Sequence, residues 1–193
     1  MSGLLGNYMP PFGLYNPPKR KIFISYHHKG DQNYCDWLRD NLSDELEVFT
    51  DRSLNEPVRS DDAEYVNRKI REDFINGSSI TIVLCGAETY KRKYVDWEIY
   101  STLYYEHALL GIGLPTALRG DQGGIIVSNR LHANIQSGYA HWVTWDANNW
   151  LYNKAAFVSL LETAIVKSKN KTLIKNSELK MSSNASGIGH RYC

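Results

Sequence analysis

The sequence predicts one α/β domain, a three-layer sandwich in which helices cover both faces of a central, mainly parallel sheet of five strands. Apolar, strand-like segments alternate five times with helical segments along the chain, which is the order that builds a parallel sheet. Residues 79–86 (SITIVLCG) are apolar almost throughout, as expected of a central strand covered on both faces. A length of 193 residues suits one domain with a full core better than two.

The first two strands are predicted at residues 21–26 (KIFISY) and 46–50 (LEVFT). The first is a short apolar run without clean alternation, which again favours a strand that is covered on both faces. Asp31 is placed to cap a helix over residues 32–42, in which the apolar positions follow the helical period. A second helix is predicted from about residue 62 to 76, where Gly77 would end it.

The remaining elements continue the same alternation toward the carboxyl end of the chain. Glycine and proline punctuate them, and we assign the glycine-rich stretch to a loop. In chain order they are a third strand at 79–86, a helix from near Lys91 to about Leu110, a loop at 111–124, a fourth strand at 124–128 (GIIVS), a fifth strand at 139–145 (YAHWVTW) and one closing helix at 148–168.

The two ends of the chain differ from the body in composition. Four of the six prolines fall within residues 1–19, so that segment is predicted to be a flexible arm without regular structure. Residues 169–193 become polar and are predicted to be a frayed tail. The predicted domain therefore spans residues 20–168.

Composition excludes several classes of function. The chain has 22 Lys and Arg against 21 Asp and Glu, so it lacks the basic surplus of a nucleic-acid-binding protein. Its three cysteines are widely spaced with no CxxC pair and no secretory leader precedes them, which predicts a reduced, cytoplasmic protein. No apolar run approaches the roughly 18 residues that a membrane span needs, so no membrane partner is expected.

Motifs for common cofactors and catalytic groups are absent from the sequence. There is no GxxxxGK, and GIGLPT breaks the dinucleotide fingerprint with proline and threonine. His27 and His28 are neighbours on a predicted extended segment and should point to opposite faces, one solvated and one at a cleft mouth, so they do not form a metal pair. No GxSxG elbow surrounds Ser25.

One metal-dependent alternative stays open. Clustered carboxylates bind Mg²⁺ and can support phosphodiester cleavage. The candidates for such a nuclease site are Asp31, Asp51, Asp61, Asp62 and Glu98.

Glu98 is the most informative single residue. Ligands gather at the carboxyl ends of parallel strands, and the helix that carries Glu98 begins just after the central strand. Tyr94 lies one turn earlier on the same helix, so an aromatic ring and a carboxylate would face one groove. The alternative is a solvated Glu98 paired with a nearby Lys or Arg.

The segments KIFISY, FTDRS, SITIVLCG and YVDWEI together resemble the TIR-like domains, over about residues 20–165. They are most similar to bacterial members whose first strand ends in ISYH and whose helix opens WVDWEI, here with Tyr94 in place of the first tryptophan. Within that group the chain resembles the TIR proteins of the Thoeris antiphage defence system. The resemblance implies a flavodoxin-like, TIR-like sandwich.

The resemblance also implies an activity, which is cleavage of the nicotinamide–ribose bond of NAD⁺ as a substrate, without a metal or cofactor. The ADP-ribosyl product would be cyclised into a signal that activates a partner effector, itself an NAD⁺-consuming protein. Such an enzyme is expected to stay inactive until a phage-derived trigger acts. Formation of homo-oligomers on activation is compatible with this expectation. Carried over by motif, the site is Glu98 as the catalytic residue, Tyr94 as the stacking aromatic, and Ser25, Tyr26, His27, Asp51 and Arg52 as substrate contacts.

The chemistry of NAD⁺ cleavage is consistent with a single catalytic carboxylate. O-glycoside hydrolysis needs two carboxyl groups because the leaving oxygen must be protonated. Nicotinamide leaves NAD⁺ as a neutral molecule, so one carboxylate that stabilises an oxocarbenium-like transition state is enough. A non-catalytic interaction module remains the alternative from another class, with Tyr100, Tyr104 and Tyr105 as its predicted exposed face.

Overall fold

The predicted sheet of five parallel strands is confirmed and forms the centre of the structure, a computed structural model. Its spatial order is β2-β1-β3-β4-β6, so β3 is central, and every neighbouring pair is parallel. The strands in chain order are β1 Arg20–Ser25, β2 Leu46–Thr50, β3 Ile80–Cys85, β4 Ala108–Gly113, β5 Ile126–Val127, β6 His141–Thr144 and β7 Arg191–Tyr192. The structure describes residues 20–44, 46–50, 73–121, 123–184 and 191–192.

Helices lie on both faces of this sheet, which gives the predicted three layers. They are α1 His28–Asn41, α2 Lys93–Tyr104, α3 Asn129–Gln136, α4 Ala147–Tyr152 and α5 Lys154–Ser168, with short 3₁₀ turns at Thr89–Lys91 and Lys171–Leu173. Residues 73–76 are also helical, and the rest of the helix predicted from residue 62 lies outside the described residues. In the described ranges no helix has the length and apolar character to cross a membrane.

The sequence of the central strand, β3, is apolar almost throughout because both of its faces are buried. All six residues of β3 are buried, and alternate side chains enter different halves of the core. Ile82 packs in a cluster with α1, α4 and α5, whereas Val83 packs in a second cluster with α2 and α3. A strand covered on both faces has no solvent side, so its sequence cannot show the polar alternation of a half-exposed strand.

The predicted helix after the third strand is confirmed, but its predicted end at Leu110 and the predicted start of the glycine-rich loop at residue 111 are wrong. Helix α2 ends at Tyr104, and Ala108–Gly113 form β4, a fully buried strand of the main sheet. Glycine is required there because a Cβ on Gly111 would lie 2.6 Å from Cε3 of Trp142, whose ring crosses the strand. A strand does form within the predicted fourth strand, as β5, but its expected place in the main sheet is wrong, since β5 pairs with β7 in a separate antiparallel sheet.

Two helix boundaries also differ from prediction. Helix α1 begins at His28, so Asp31 lies in its first turn and is not its cap. The closing helix is two helices, because Asn153 interrupts it and its side chain accepts a hydrogen bond from the backbone N–H of Ala156 at 3.2 Å. Helix α3, which Ser128 caps, was not predicted.

The polar segment after residue 168 is not frayed over its described parts, residues 169–184 and 191–192. The amide of Asn134 exchanges two hydrogen bonds of 2.8 and 3.0 Å with the backbone of Lys175. Further along, Nε1 of Trp97 donates to the carbonyl of Met181 at 2.7 Å. Backbone and side-chain partners therefore fix this segment against α2 and α3. The predicted arm at 1–19 lies outside the described residues.

Candidate active site

Glu98 is buried at the carboxyl edge of the sheet. Its side chain is on α2, whose Val95, Ile99 and Leu103 pack into the core, and only 5% of Glu98 is exposed. The hydroxyl of Ser25, the last residue of β1, donates to Oε2 of Glu98 at 2.6 Å. Glu98 is therefore not the solvated surface carboxylate of the alternative interpretation.

A cleft of about 180 Å³ opens beside this carboxylate. It lies between the end of β1, the start of α1 and the first turns of α2, which is where ligands bind in parallel α/β sheets. The side chains around it are aromatic, cationic and apolar, with Glu98 as the one carboxylate among them. They belong to Tyr26, His27, His28, Lys29, Arg92, Tyr94, Val95 and Glu98.

Most of the sequence-predicted site residues meet at this cleft. Tyr26, His27 and Tyr94 line it with Glu98, and Ser25 reaches it through the hydrogen bond to Glu98. The other two predicted contacts, Asp51 and Arg52, lie outside the described residues.

The prediction that His27 and His28 face opposite sides is wrong, because both line the cleft. It assumed that the strand continues through both residues, whereas β1 ends at Ser25 and α1 begins at His28. The turn between them brings the rings of Tyr26 and His28 within 4.4 Å, centroid to centroid.

Burial favours the uncharged forms of two side chains of this cleft, Tyr26 and His27. Desolvation raises the pKa of the Tyr26 phenol well above its ordinary value, so the hydroxyl stays protonated and donates to Oε1 of Gln32 at 2.9 Å. Desolvation, and next the positive charge of Arg92, lower the pKa of His27 below its usual value of 6.5. His27 is therefore uncharged at pH 7 and can donate from one ring nitrogen while it accepts at the other.

Tyr94 presents a partly exposed ring one turn before Glu98. Its ring meets that of Trp97 edge to face, with 5.7 Å between centroids, and the ammonium of Lys93 lies 5.0 Å from its centroid. These contacts restrict the ring, which suits a surface on which a planar ligand group could stack.

Two cations of the cleft, Arg92 and Lys29, were not predicted from the sequence. The Nη2 of Arg92 donates to Oε2 of Glu88 at 3.2 Å, and 29% of the Arg92 side chain is exposed. Its Nε is buried and has no hydrogen-bond partner within the described part of the chain. The only sequence signal for Arg92 was its position six residues before Glu98.

Adjacent positions of the DWE triplet serve different sides of α2. Asp96 forms a buried ion pair with Arg130, with Oδ1 and Nε 2.9 Å apart, and its Oδ2 accepts from the backbone N–H of Met181 at 2.9 Å. Trp97 also contacts that segment, whereas Glu98 faces the cleft. The first two residues therefore hold the helix in place, and the third lies at the cleft, where a ligand could reach it.

The carboxylates proposed for a metal site are not brought together by the described residues. Within them no group of three or more His, Cys, Asp or Glu side chains could hold a metal ion, and Asp51, Asp61 and Asp62 lie outside them. The Oδ2 of Asp31 accepts from the hydroxyl of Thr89 at 2.8 Å, and burial raises its pKa. Asp31 therefore has a structural role beside Gly86 at the end of β3.

Comparison with known proteins identifies the family of this chain. Residues 23–119, half of the chain, match the family described as Thoeris protein ThsB, TIR-like domain. The chain belongs to this Thoeris ThsB family. The resemblance drawn from the sequence is confirmed, and the cleft of the ThsB-type domain lies wholly inside the matched segment. Membership gives the chain a TIR-type role in antiphage defence.

Two solved structures that are similar to this ThsB-type domain have low sequence identity to it. One is a 2-deoxyribosyltransferase from Bacillus psychrosaccharolyticus, with 17% identity, a TM-score of 0.49, and coverage of 72% of this chain and 94% of that one. Another comprises the TIR domains of the activated Roq1 resistosome that recognises the effector XopQ, with 9% identity, a TM-score of 0.38, and coverage of 77% and 83%. TM-scores this low carry no functional argument. Comparison with curated proteins finds no match.

Proposed function

We propose that the chain is a cytoplasmic enzyme that cleaves the nicotinamide–ribose bond of NAD⁺ and forms a cyclic ADP-ribose-type signal for a partner effector. The observation that carries the proposal is the buried Glu98 carboxylate, which the Ser25 hydroxyl holds at 2.6 Å at the edge of an aromatic and cationic cleft. Membership in the Thoeris ThsB family supports the biological setting.

Cleavage of the nicotinamide–ribose bond needs only one carboxylate in the active site. The bond between C1′ of the ribose and the ring nitrogen of nicotinamide breaks, and its electron pair stays on that nitrogen, so nicotinamide leaves neutral. Positive charge develops on the ribose, and the Glu98 carboxylate stabilises it in a site with little water. Capture of C1′ by water gives ADP-ribose and a proton, whereas capture by a nucleophile of the same molecule gives the cyclic product.

The side chains around Glu98 have complementary tasks in this proposal. Ser25 fixes one carboxylate oxygen, so that Glu98 is oriented before the substrate arrives. The Tyr94 ring provides a stacking surface, and Tyr26 and Val95 limit the access of water to C1′. His27 is uncharged at pH 7 and can hydrogen-bond the substrate without repelling its cationic ring.

The size of the cleft supports an enzyme that rests in an inactive state. At about 180 Å³ it is smaller than the roughly 300–1,000 Å³ of typical small-molecule sites, so it can hold only part of a dinucleotide. We propose that a phage-derived trigger widens it, with homo-oligomerisation as one route, and that no metal or cofactor takes part.

The deciding experiment compares wild type with Glu98→Gln in phage-infected and uninfected cells, with nicotinamide and cyclic ADP-ribose species measured by mass spectrometry. We expect Glu98→Gln to lose at least about 100-fold in product, because the charge that stabilises the transition state is gone. Glu106→Gln is the matched control, since Glu106 is exposed beyond the end of α2. Turnover that survives intact in Glu98→Gln would refute the proposal.

The second candidate, a non-catalytic interaction module, has narrower support. Tyr104 is 67% exposed, but Tyr100 and Tyr105 are half-buried, and the ammonium of Lys180 lies 4.8 Å from the Tyr100 centroid. The predicted face therefore reduces to one prominent tyrosine. Phage resistance that persists in Glu98→Gln and is lost in Tyr104→Ala would favour this candidate.

A further inference from the structure

Arg92 has an unusual environment for a cation at the mouth of a cleft. Its Nη2 is paired with Glu88, yet its Nε is buried and lacks an acceptor within the described part of the chain. An arginine in a surface ion pair would donate its Nε–H to water, and an arginine with a structural role would donate it to a protein acceptor. Neither role accounts for a buried Nε that lacks an acceptor within the described residues. A buried guanidinium N–H without a partner costs free energy, which an incoming ligand atom would recover.

The position of Arg92 relative to Glu98 limits what that ligand can be. Arg92 directly precedes α2, so at 1.5 Å per residue it lies about 9 Å from Glu98 along the helix axis. Lys29, near the start of α1, lines the same cleft from the opposite element. One carboxylate and two cations therefore line the same cleft, which matches a ligand that carries a ribose and an anionic group a short distance apart.

The chemistry of the guanidinium suits a phosphate ligand. Its planar set of N–H donors matches the oxygens of phosphate groups, and the bonds are charge-assisted. Glu88 does not satisfy this set, because its carboxylate is shared between Lys91 at 3.0 Å and Arg92 at 3.2 Å and is 40% exposed. Glu88 instead holds the guanidinium at the cleft before a ligand arrives.

We propose that Arg92, assisted by Lys29, forms a subsite for the diphosphate of a dinucleotide, with Glu88 positioning the guanidinium. This subsite deepens the proposed function and rests on it. It places the nicotinamide ribose at Glu98 and the rest of the molecule along the first turns of α2 toward the cleft mouth. Free inorganic phosphate or pyrophosphate could supply the same chemistry, so the test separates these sources.

The test measures binding to the full-length chain by calorimetry with three probes, which are ADP-ribose, nicotinamide riboside and inorganic pyrophosphate. We expect Arg92→Gln to weaken ADP-ribose binding by about tenfold or more and to leave nicotinamide riboside, which has no phosphate, unchanged. Arg92→Lys keeps the charge but loses the planar donors, so an intermediate loss is expected. Arg119→Gln is the matched control, because Arg119 is exposed at a turn away from the cleft.

Several outcomes would overturn the subsite. They are unchanged ADP-ribose affinity in Arg92→Gln, an equal loss for nicotinamide riboside, and wild-type binding of pyrophosphate as tight as that of ADP-ribose, which would indicate a general anion site. Thermal melting of each variant shows whether the fold is intact, and Arg92→Lys keeps the test decisive if Arg92→Gln is unstable. The proposed function fails separately, through full turnover in Glu98→Gln, whereas the subsite fails through binding alone.

Discussion

Replacement of Arg130 by methionine is expected to destabilise the protein strongly, because it removes the cation from a buried ion pair. The side chains of Arg130 and Asp96 are only 1% and 6% exposed. The five N–H groups of the guanidinium make six hydrogen-bond contacts of 2.8 to 3.3 Å, to Asp96, Asn176 and the carbonyls of Glu178 and Leu179. Methionine fills a similar volume but satisfies none of these acceptors.

The magnitude follows from what is left behind. Loss of one partner of a buried ion pair costs about 3–5 kcal/mol, since the other charge stays in a site with little water. For a chain of this size each kcal/mol lowers the melting temperature by roughly 2–4 °C, so a loss of about 6–20 °C is expected. The backbone N–H of Met181 still donates to Asp96, which favours the lower half of this range.

The assay is urea unfolding followed by tryptophan fluorescence and far-UV circular dichroism, from which the free energy of unfolding is obtained. Arg119→Met is the matched control, with an expected change within about 0.5 kcal/mol, because that side chain is exposed. The double variant Asp96→Leu with Arg130→Met should recover at least about 1 kcal/mol relative to the sum of the single changes, since no buried charge remains unpaired.

Two results would refute this reasoning. A loss of less than about 1 kcal/mol in Arg130→Met would mean that the pair is solvated or unimportant to the fold. Strict additivity in the double variant would mean that Asp96 and Arg130 act independently. Either would also weaken the conclusion that Asp96 holds α2, and therefore Glu98, in place.

Two further predictions concern the end of β3 and the response to pH. Gly86→Ala should cost about 1–3 kcal/mol in urea unfolding, because the new Cβ would lie 2.0 Å from Oδ1 of Asp31, and Gly77→Ala, with ordinary contacts, should cost much less. Burial is the leading cause of a lowered pKa at His27, His107 and His141. The folded state therefore binds fewer protons than the unfolded state, so stability is full above the unfolded pKa of 6.5 and falls as the pH drops below it. Urea midpoints at pH 7.5 and 5.5 test this, and equal midpoints would contradict it. The raised pKa of Asp31 has the opposite effect on stability. Its contribution to the free energy of unfolding is present below the unfolded pKa of 3.8 and is lost as the pH rises above that value.

Much of the fold could be predicted because buried parallel strands leave a strong local signal. β1, β3 and β6 were found where the sequence is apolar or β-branched, since both faces of such strands need apolar contacts. β4 gave the opposite local signal, because two of its six residues are glycine. A Cβ at either glycine would clash with Trp142, and one at Gly113 also with Ile125. Because these two residues are distant in sequence, no local pattern could identify the strand.

The candidate site was predictable to the extent that it lies on one helix. Tyr94 and Glu98 are four residues apart, and the helical period alone places them on one face. The buried state of Glu98 was not predictable, because it depends on Ser25 at the end of β1 and on the start of α1. Arg92 was overlooked for the same reason, since its sequence position says nothing about the environment of its Nε.

The sequence by itself determined the alternation of strands and helices, the family, and the presence of a carboxylate and an aromatic ring on the helix after the central strand. These are local or composition-dependent properties, which the helical and strand periods translate directly into structure. Only the tertiary structure decided how the neighbours Asp96, Trp97 and Glu98 divide between two sides of α2. The physical reason is that burial and pairing come from Arg130, Met181 and Ser25, which lie 34, 84 and 73 residues away in the chain.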